Sequence, residues 1–293
     1  MSRSLLGAVE AGGTKMVCAV AYDPNEILDE VRFPTRDPEA TLSEVEQYFR
    51  RMEDRYESIQ SIGYGTFGPA AVHSSSADYG KILNTPKVGW QQVNVLGFLS
   101  ESFPEARLAF DTDVNAAALG EGYAGAGRGF QNYIYVTVGT GIGGGVVIGG
   151  KPLHANPHAE IGHMLVPDMS LESSDFKGVC PFHGRCLEGV ASGLAMTERW
   201  GVSPEQLAHD HQAWVIEARY LAAMIQNLMA CYAPDKIILG GGVMEQEFLL
   251  DMIQSEFDQL AGGYWQYPED LIVRPELGNQ SGITGALLMA LTA

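Results

Sequence analysis

The chain has 293 residues, 46% of them hydrophobic, and a formal net charge of −18 from 18 basic and 36 acidic side chains. A surface this acidic repels the phosphates of nucleic acids and of anionic lipids, so we predict neither nucleic acid nor membrane as a partner. No apolar run approaches the ~18 residues of a membrane helix, and no secretory leader is recognisable. These features predict a cytoplasmic protein.

Two glycine-turned hairpins, Leu5–Asp23 and Tyr133–Lys151, lie about one domain length apart and predict two similar half-units. Between them, the sequence predicts the following elements in order: a helix opened by a Thr41–Glu44 capping box, a strand over Ser61–Thr66, a turn at Gly68–Pro69, a strand over Arg107–Asp111 and a helix over Ala116–Glu121. After the second hairpin, it predicts a helix over Trp214–Tyr232, a strand over Lys236–Leu239, a turn at Gly240–Gly242, and helices over Glu245–Leu260 and Ile283–Leu291. Strands that alternate with helices indicate an α/β fold.

The cysteines divide into two kinds. Cys18 and Cys231 lie in apolar runs and are expected to be core residues. Cys180 and Cys186 flank His183 in the stretch CPFHGRC, with five residues between the two thiols instead of the two of a redox C-x-x-C. This spacing favours a metal site over a disulfide framework. The nearby His154 and His158 are expected to face solvent instead of binding the metal.

Two stretches match the spacing of nucleotide-binding motifs but lack the residues or elements that such sites need. GTGIGG at 139–144 fits G-x-G-x-x-G, but a strand follows where a dinucleotide site needs a helix. GVVIGGK at 145–151 fits the P-loop spacing, but Pro152 stands where a Ser or Thr should hold Mg²⁺. Three glycine-rich turns nevertheless each follow a predicted strand, and glycine lets backbone N–H groups crowd around an anion. The sequence therefore predicts a phosphate-binding cleft between two lobes.

Five motifs, in order along nearly the whole chain, resemble the ROK family of sugar kinases: EAGGTK, TDVNAAALGE, TVGTGIGGG, EIGH and LGGGV. Within that family, CPFHGRCLEG and TPKVGW are similar to the fructokinase branch. The resemblance implies a two-lobed actin/hexokinase-like ATPase fold, with a small lobe over 1–115 and 280–293 and a large lobe over 116–279. It also implies an ATP-dependent fructokinase that phosphorylates the 6-hydroxyl of fructose, and a homodimer.

The resemblance also implies the site residues. Asp113 is expected to be the general base, while Thr112 stands where the family has Asn. The expected ATP-binding residues are Gly12, Gly13, Thr14, Lys15, Gly139, Thr140, Gly141, Gly193, Gly240, Gly241 and Gly242. The expected sugar-binding residues are Gly68, Asp113, Glu160, His163 and Glu188. Glu10 is the candidate for holding Mg²⁺ with ATP.

His163 is expected to join Cys180, His183 and Cys186 around one Zn²⁺. Four protein ligands leave no open coordination position, so this zinc is predicted to be structural. Two alternatives remain at this point. One is a kinase for another hexose, such as glucose, mannose or an N-acylhexosamine. The other is a non-catalytic sugar-binding regulator.

Overall fold

The computed structural model of the protein describes residues 4–155, 158–169 and 175–293. The described residues group into two units. The first unit comprises those of Met1–Gly129, Gly145–Ala159 and Glu276–Ala293, and the second those of Phe130–Gly144 and Glu160–Pro275. The predicted lobes had different boundaries, with a small lobe over 1–115 and 280–293 and a large lobe over 116–279. That division into lobes stays a prediction.

The strands are β1 (Leu6–Ala11), β2 (Lys15–Asp23), β3 (Glu26–Pro34), β4 (Ser61–Thr66), β5 (Arg107–Thr112), β6 (Tyr133–Val138), β7 (Ile142–Ile148), β8 (Lys151–Pro152), β9 (Lys236–Gly240) and β10 (Ile272–Val273). The α-helices are α1 (Pro38–Arg55), α2 (Val95–Ser102), α3 (Asp113–Ala124), α4 (Leu187–Ala191), α5 (Gly193–Trp200), α6 (Gln212–Tyr232), α7 (Glu247–Ala261) and α8 (Ser281–Thr292). The predicted α/β class is confirmed.

The sheet of the first unit has the strand order β3-β2-β1-β4-β5. The predicted first hairpin is confirmed, because β1 and β2 pair antiparallel from Leu6↔Ala21 to Ala11↔Met16. Strands β4 and β5 then extend the sheet in parallel. The glycine turn between β1 and β2 and the start of α3 therefore both follow the carboxyl ends of strands that belong to one sheet.

Alternate residues of β1 and β2 belong to two different cores, as side chains on opposite faces of a sheet must. Val9 and Cys18 belong to a core with the apolar face of α1, which includes Val45 and Phe49. Leu6, Ala8, Val17 and Ala19 pack instead with Ile283, Ala286 and Leu287 of α8. Helix α8, from the end of the chain, thus covers the second face of the first sheet.

Helix α8 also packs closely on α3. A β-carbon at Gly285 would lie 1.6 Å from the Ala116 carbonyl oxygen, so only glycine allows this approach. The buried Glu121 carboxylate of α3 accepts hydrogen bonds from the N–H groups of Glu276 and Leu277, both at 3.1 Å, and from the Ser281 hydroxyl at 2.6 Å. It also accepts from the Ala126 N–H at 2.8 Å. Apolar packing and a satisfied buried carboxylate together join the last segment of the chain to α3.

In the second unit, β6 pairs in parallel with β9, and β9 with β10. On its other side β6 neighbours β7, which confirms the second hairpin, and the end of β7 pairs with β8. The 21-residue helix α6 is largely buried and contacts α7. No helix within the described part of the chain has the length and apolar character needed to cross a membrane.

Four local predictions are wrong. Helix α1 begins at Pro38, and its cap is Asp37, whose side chain accepts from Ala40 N at 2.9 Å. Proline fits the first helical position, so Asp-Pro starts the helix ahead of the predicted box at Thr41. Helix α3 begins at Asp113 instead of Ala116. Helix α7 begins two residues late, because Gly242–Glu245 forms a 3₁₀ turn. Cys231 is exposed, whereas Cys18 is buried as predicted.

Candidate functional site

The Asp113 carboxylate stands at the first position of α3, directly after β5. Thr112, which stands where the ROK family has Asn, caps this helix, since its hydroxyl accepts from Asn115 N at 3.1 Å. Asp113 Oδ1 accepts from Val114 N at 2.9 Å. A carboxylate in the first turn is stabilised as an anion by the partial positive charge of the helix N-terminus. The structure therefore places the Asp113 carboxylate where the charge of the helix N-terminus acts on it.

Behind Asp113, the buried Asp111 organises the turn. Its Oδ1 accepts from Thr112 N at 2.8 Å and from Asn115 Nδ2 at 2.7 Å, while its Oδ2 lies 2.6 Å from His154 Nε2. This hydrogen bond raises the pKa of His154, partial burial opposes the rise, and the Asp111 charge adds to it. The expectation that His154 faces solvent is confirmed, since its side chain is 42% exposed. The pair with Asp111 was not predicted, because 43 residues separate its members.

His158, unlike His154, is buried: it is 9% exposed. Its Nε2 accepts from Ala70 N at 3.1 Å, and its Nδ1 lies 3.2 Å from the Ala159 carbonyl oxygen, which fixes the proton on Nδ1. Ala70 follows the cis Gly68–Pro69 bond, so the hydrogen bond from Ala70 N joins His158 to the turn that carries the predicted sugar residue Gly68. The expectation of a solvent-facing loop was wrong for this residue.

Glu10 lies on β1 against the start of α8. Burial is the largest influence on its carboxyl group and raises its pKa, while Lys15 and Arg32 oppose the rise and the Ile283 N–H donates to it. Its Oε2 is buried without a hydrogen-bond partner among the described residues. A cation, a water molecule or a proton would satisfy this oxygen. The assignment of Mg²⁺ to Glu10 stays a prediction.

The first glycine turn, Gly12–Lys15, joins β1 to β2. It is closed by a hydrogen bond from Gly12 N to Lys15 O at 2.9 Å. Gly13, Thr14 and Lys15 are exposed. The Lys15 ammonium adds a positive charge beside the exposed backbone of the turn, which suits an anionic ligand.

The second glycine turn, Gly139–Gly141, joins β6 to β7, and the structure brings two other predicted ATP-binding positions to it. Gly193 N, at the start of α5, donates to Gly139 O at 2.7 Å. A β-carbon at Gly241, whose φ is +94°, would lie 2.5 Å from the Val138 carbonyl oxygen. The third turn, Gly240–Gly242, therefore lies directly beside the second. These glycines form one backbone-lined surface within the second unit, with Thr140 exposed on it.

His163, Cys180, His183 and Cys186 form a candidate metal centre, with one ligand atom of each within 4.8 Å of the others. His163 Nδ1 lies 3.4 Å from Cys186 Sγ and 3.8 Å from Cys180 Sγ, and His183 Nδ1 lies 3.7 Å from Cys180 Sγ. Tetrahedral Zn²⁺ with usual bond lengths places sulfur and nitrogen about 3.6 Å apart. The donor set and its spacing therefore fit zinc.

The metal centre is built from two segments. Ile161–His163 forms a short 3₁₀ helix after Glu160 and packs on β7, where a β-carbon at Gly162 would lie 1.9 Å from Ile142 O. Cys180–Cys186 forms a tight turn closed by Gly184 N donating to Cys180 O at 2.9 Å. Burial raises the pKa of Cys186 to about 11. A metal ion would be needed to hold this buried thiol as a thiolate.

Glu188 connects the metal centre to the second glycine turn. It lies in α4, which starts directly after Cys186, and its Oε2 accepts from Ile142 N at 2.9 Å. A β-carbon at Gly141 would lie 2.5 Å from the same oxygen. The structure thus brings the two segments that carry the predicted sugar residues Glu160, His163 and Glu188 to Ile142 of β7. Their link to the turn had no signal in the sequence, because 46 residues separate Glu188 from Ile142.

Comparisons with known proteins agree with this geometry. The ROK family model matches residues 6–293. The chain is 42% identical to a fructokinase of Pediococcus pentosaceus, over 99% of this chain and 98% of the relative. It is 39% identical to a fructokinase of Zymomonas mobilis, over 99% and 98%. The solved structure of a ROK family glucokinase from Streptomyces griseus, in complex with glucose and AMPPNP, is similar with a TM-score of 0.80 at 26% identity, covering 99% of this chain and all of that one. The predicted actin/hexokinase-like fold is confirmed.

Proposed function

Because the chain belongs to the ROK family, we propose that it is an ATP-dependent fructokinase, which transfers the γ-phosphoryl group of ATP to the 6-hydroxyl of D-fructose. The observation that carries the choice of sugar is the identity of 42% and 39% with two fructokinases across nearly their full lengths. Identity with the structurally similar glucokinase is 26%.

ATP would be bound through backbone groups of the three glycine turns. We propose that Gly12–Lys15 and Gly139–Gly141 hold phosphates, and that Gly193 and Gly240–Gly242 lie against the adenosine. The contact of Gly193 with the second turn, and of Gly241 with Val138 directly before it, supports this division within the second unit. Phosphoryl transfer depends mainly on orientation and charge neutralisation. Mg²⁺ would accompany ATP, with Glu10 as the candidate residue near it.

Asp113 is the proposed general base. A sugar hydroxyl is too weak an acid to ionise at neutral pH, so Asp113 would orient the hydroxyl and accept its proton late in the transfer. Its position at the start of α3 supports this role, since the N-terminal helix charge favours the carboxylate. Thr112 is occupied as the helix cap, so we do not assign it to the sugar.

Gly68, Glu160, His163 and Glu188 are the other proposed sugar residues. Each carboxylate oxygen can accept from neighbouring hydroxyls, and bonds to a charged acceptor are the stronger kind. A Zn²⁺ ion held by His163, Cys180, His183 and Cys186 would have a closed coordination shell and would act structurally. These four residues would hold the turn that carries Glu160 and the helix that carries Glu188 in one arrangement.

Four further assignments are proposals of the same kind. The protein is proposed to be a homodimer, which light scattering coupled to size-exclusion chromatography measures directly. It is proposed to be cytoplasmic, and to bind neither nucleic acid nor membrane, in keeping with its net charge of −18. Small sugars and ATP are its proposed partners.

A panel of sugars tests the proposed activity. Purified protein with Mg²⁺ and ATP is assayed for ADP release with fructose, glucose, mannose and N-acetylhexosamines. We expect the highest kcat/KM with fructose. A higher value for another hexose would identify a different ROK kinase, and no nucleotide turnover with any sugar would identify a sugar-binding regulator.

The substitution Asp113→Asn tests the proposed base. The kcat should fall about 10²–10⁴-fold, while fructose still binds. Asp251→Asn, on an exposed position of α7, is the matched control and should leave kcat unchanged. Near-normal turnover by Asp113→Asn would remove Asp113 from this role.

A further inference from the structure

The segment Thr85–Trp90 lies against the first glycine turn, and the proposed chemistry has so far used none of its residues. The Lys87 Nζ atom lies 2.6 Å from the Gly13 carbonyl oxygen and 3.3 Å from the Thr35 carbonyl oxygen. Gly13 lies 74 residues earlier in the chain. One ammonium group therefore joins the turn, the residue that follows β3 and the Thr85–Trp90 segment.

The neighbouring carbonyl groups of the turn are held in the same way. The Thr35 hydroxyl donates to the Gly12 carbonyl oxygen at 2.7 Å. The Thr35 N–H donates to the Thr14 carbonyl oxygen at 2.9 Å. Three consecutive carbonyl groups of the turn are thus occupied by donors from Thr35 and Lys87.

This arrangement fixes the direction of the N–H groups. In a trans peptide unit, the C=O and the following N–H point in opposite directions. Holding the carbonyls of Gly12 and Gly13 on one side therefore turns the N–H groups of Gly13 and Thr14 to the other. Among the described residues, neither of these N–H groups has a hydrogen-bond partner, and both residues are exposed. Two free donors side by side are suited to a phosphate group.

Lys87 is held in place by the residues around it. Trp90 is fully buried, and its Nε1 donates to the Arg36 carbonyl oxygen at 2.8 Å. Gln91 Nε2 donates to the Thr85 carbonyl oxygen at 2.7 Å, which closes the segment on itself. These contacts fix the backbone that carries Lys87 beside the turn. The charge of Lys87 also adds to that of Lys15, in a chain whose net charge of −18 would otherwise repel a triphosphate.

We propose that Lys87 is a positioning residue for the triphosphate of ATP. By binding the Gly13 carbonyl oxygen, it keeps the N–H of Thr14 directed at the nucleotide and places a positive charge behind the turn. Lys87 acts through the turn and does not touch the sugar. This role rests on the proposed function, because it assigns the first glycine turn to the phosphates.

The test compares nucleotide and sugar affinity by calorimetry, with AMP-PNP plus Mg²⁺ and with fructose as separate ligands. Lys87→Met should weaken AMP-PNP binding about tenfold, or ~1.4 kcal/mol, and raise the KM for ATP with it. Fructose affinity should stay within about twofold of the wild-type value, as for any site that the change does not reach. Lys87→Arg keeps the charge and the donors, so it should recover most of the affinity. Lys81→Met removes a surface lysine paired with Asp78 and is the matched control, with wild-type affinities expected.

Unchanged AMP-PNP affinity in folded Lys87→Met would overturn the inference. An equal loss of both affinities, together with a lower Tm, would overturn it too, because it would indicate a general structural role. If Lys87→Met does not fold, Lys87→Gln replaces it, since that change removes the charge and shortens the reach of the donor to the Gly13 carbonyl while the side chain stays polar, and unchanged AMP-PNP affinity there is equally decisive. Should the wild-type protein bind AMP-PNP but phosphorylate no sugar, the proposed function fails while this comparison still stands.

Discussion

The Glu188 carboxylate accepts a hydrogen bond from the Ile142 N–H at 2.9 Å. Glu188 lies two residues after the candidate metal ligand Cys186, and Ile142 is the first residue after the second glycine turn. The other ligand-bearing segment, Glu160–His163, packs against the Ile142 carbonyl. Both halves of the metal centre therefore contact the same residue of β7.

This relationship predicts different effects for two substitutions of Glu188. Glu188→Gln keeps an oxygen that can accept from Ile142 N–H but loses the charge, so fructose affinity should fall while ATP affinity stays near the wild-type value. Glu188→Ala leaves the N–H unpaired, at about 1–3 kcal/mol, and should weaken both ligands and lower the Tm. Calorimetry with each ligand measures the difference. Equal AMP-PNP affinities of the two variants would show that the hydrogen bond from Ile142 does not affect nucleotide binding by the second glycine turn.

Removal of one metal ligand should lower metal content and sugar affinity together. His183→Ala is chosen because His183 is the exposed member of the four. Zinc per chain, measured by mass spectrometry, should fall, and fructose affinity should fall at least about tenfold. His209→Ala, an exposed histidine of the same unit, is the control and should keep its zinc. Full activity in protein stripped of metal would contradict the proposed structural role of zinc.

The His154–Asp111 pair gives a stability that depends on pH. The folded-state pKa of His154 is raised, so the charged pair stabilises the fold fully below the unfolded value of about 6.5 and loses this contribution as pH rises through the folded value. His154 is 42% exposed, and screening by water keeps the effect under about 1 kcal/mol. The difference in unfolding free energy between wild type and His154→Gln should be larger at pH 6 than at pH 9. An NMR titration that places the His154 midpoint below the ordinary histidine value would contradict the assignment.

Glu121→Ala should destabilise the first unit strongly. The substitution leaves four donors without their acceptor: the N–H groups of Ala126, Glu276 and Leu277 and the Ser281 hydroxyl. Each buried unpaired donor costs about 1–3 kcal/mol, and partial rehydration limits the sum to roughly 3–5 kcal/mol. Urea unfolding measures this loss, and exposed Glu105→Ala is the control. A loss below about 1 kcal/mol, the level of a surface hydrogen bond, would show that α3 and the last segment are held by apolar packing alone.

Local sequence patterns predicted the hairpins and the long helix well, because their strands, glycine turns and apolar stripes depend on residues that are close together in the sequence. Strand β3 was missed since it lies at a sheet edge, where half-exposed charged residues such as Asp29, Glu30 and Arg32 hide the alternation. The start of α1 was misplaced because two start signals, Asp37–Pro38 and Thr41, lie within five residues of each other.

In the candidate site, too, local features could be predicted and long-range contacts could not. The four candidate metal ligands, which the structure brings together, could be predicted, because three lie in one heptapeptide and the fourth lies in a recognisable motif. The contacts that support the site could not be predicted. Glu188 with Ile142, Asp111 with His154, and Gly13 with Lys87 are separated by 46, 43 and 74 residues, and nothing in either segment of a pair indicates its partner.

Helix α8 has a consequence for how the protein is made. The strands β1 and β2 precede α8 by most of the sequence, yet one face of their sheet packs on Ile283, Ala286, Leu287 and Ala290 of that helix. Until α8 has been synthesised, these side chains cannot cover that apolar face of the nascent chain. Domains commonly fold during translation from the N-terminus onward, but here the sheet of the first unit needs α8 to complete its second core.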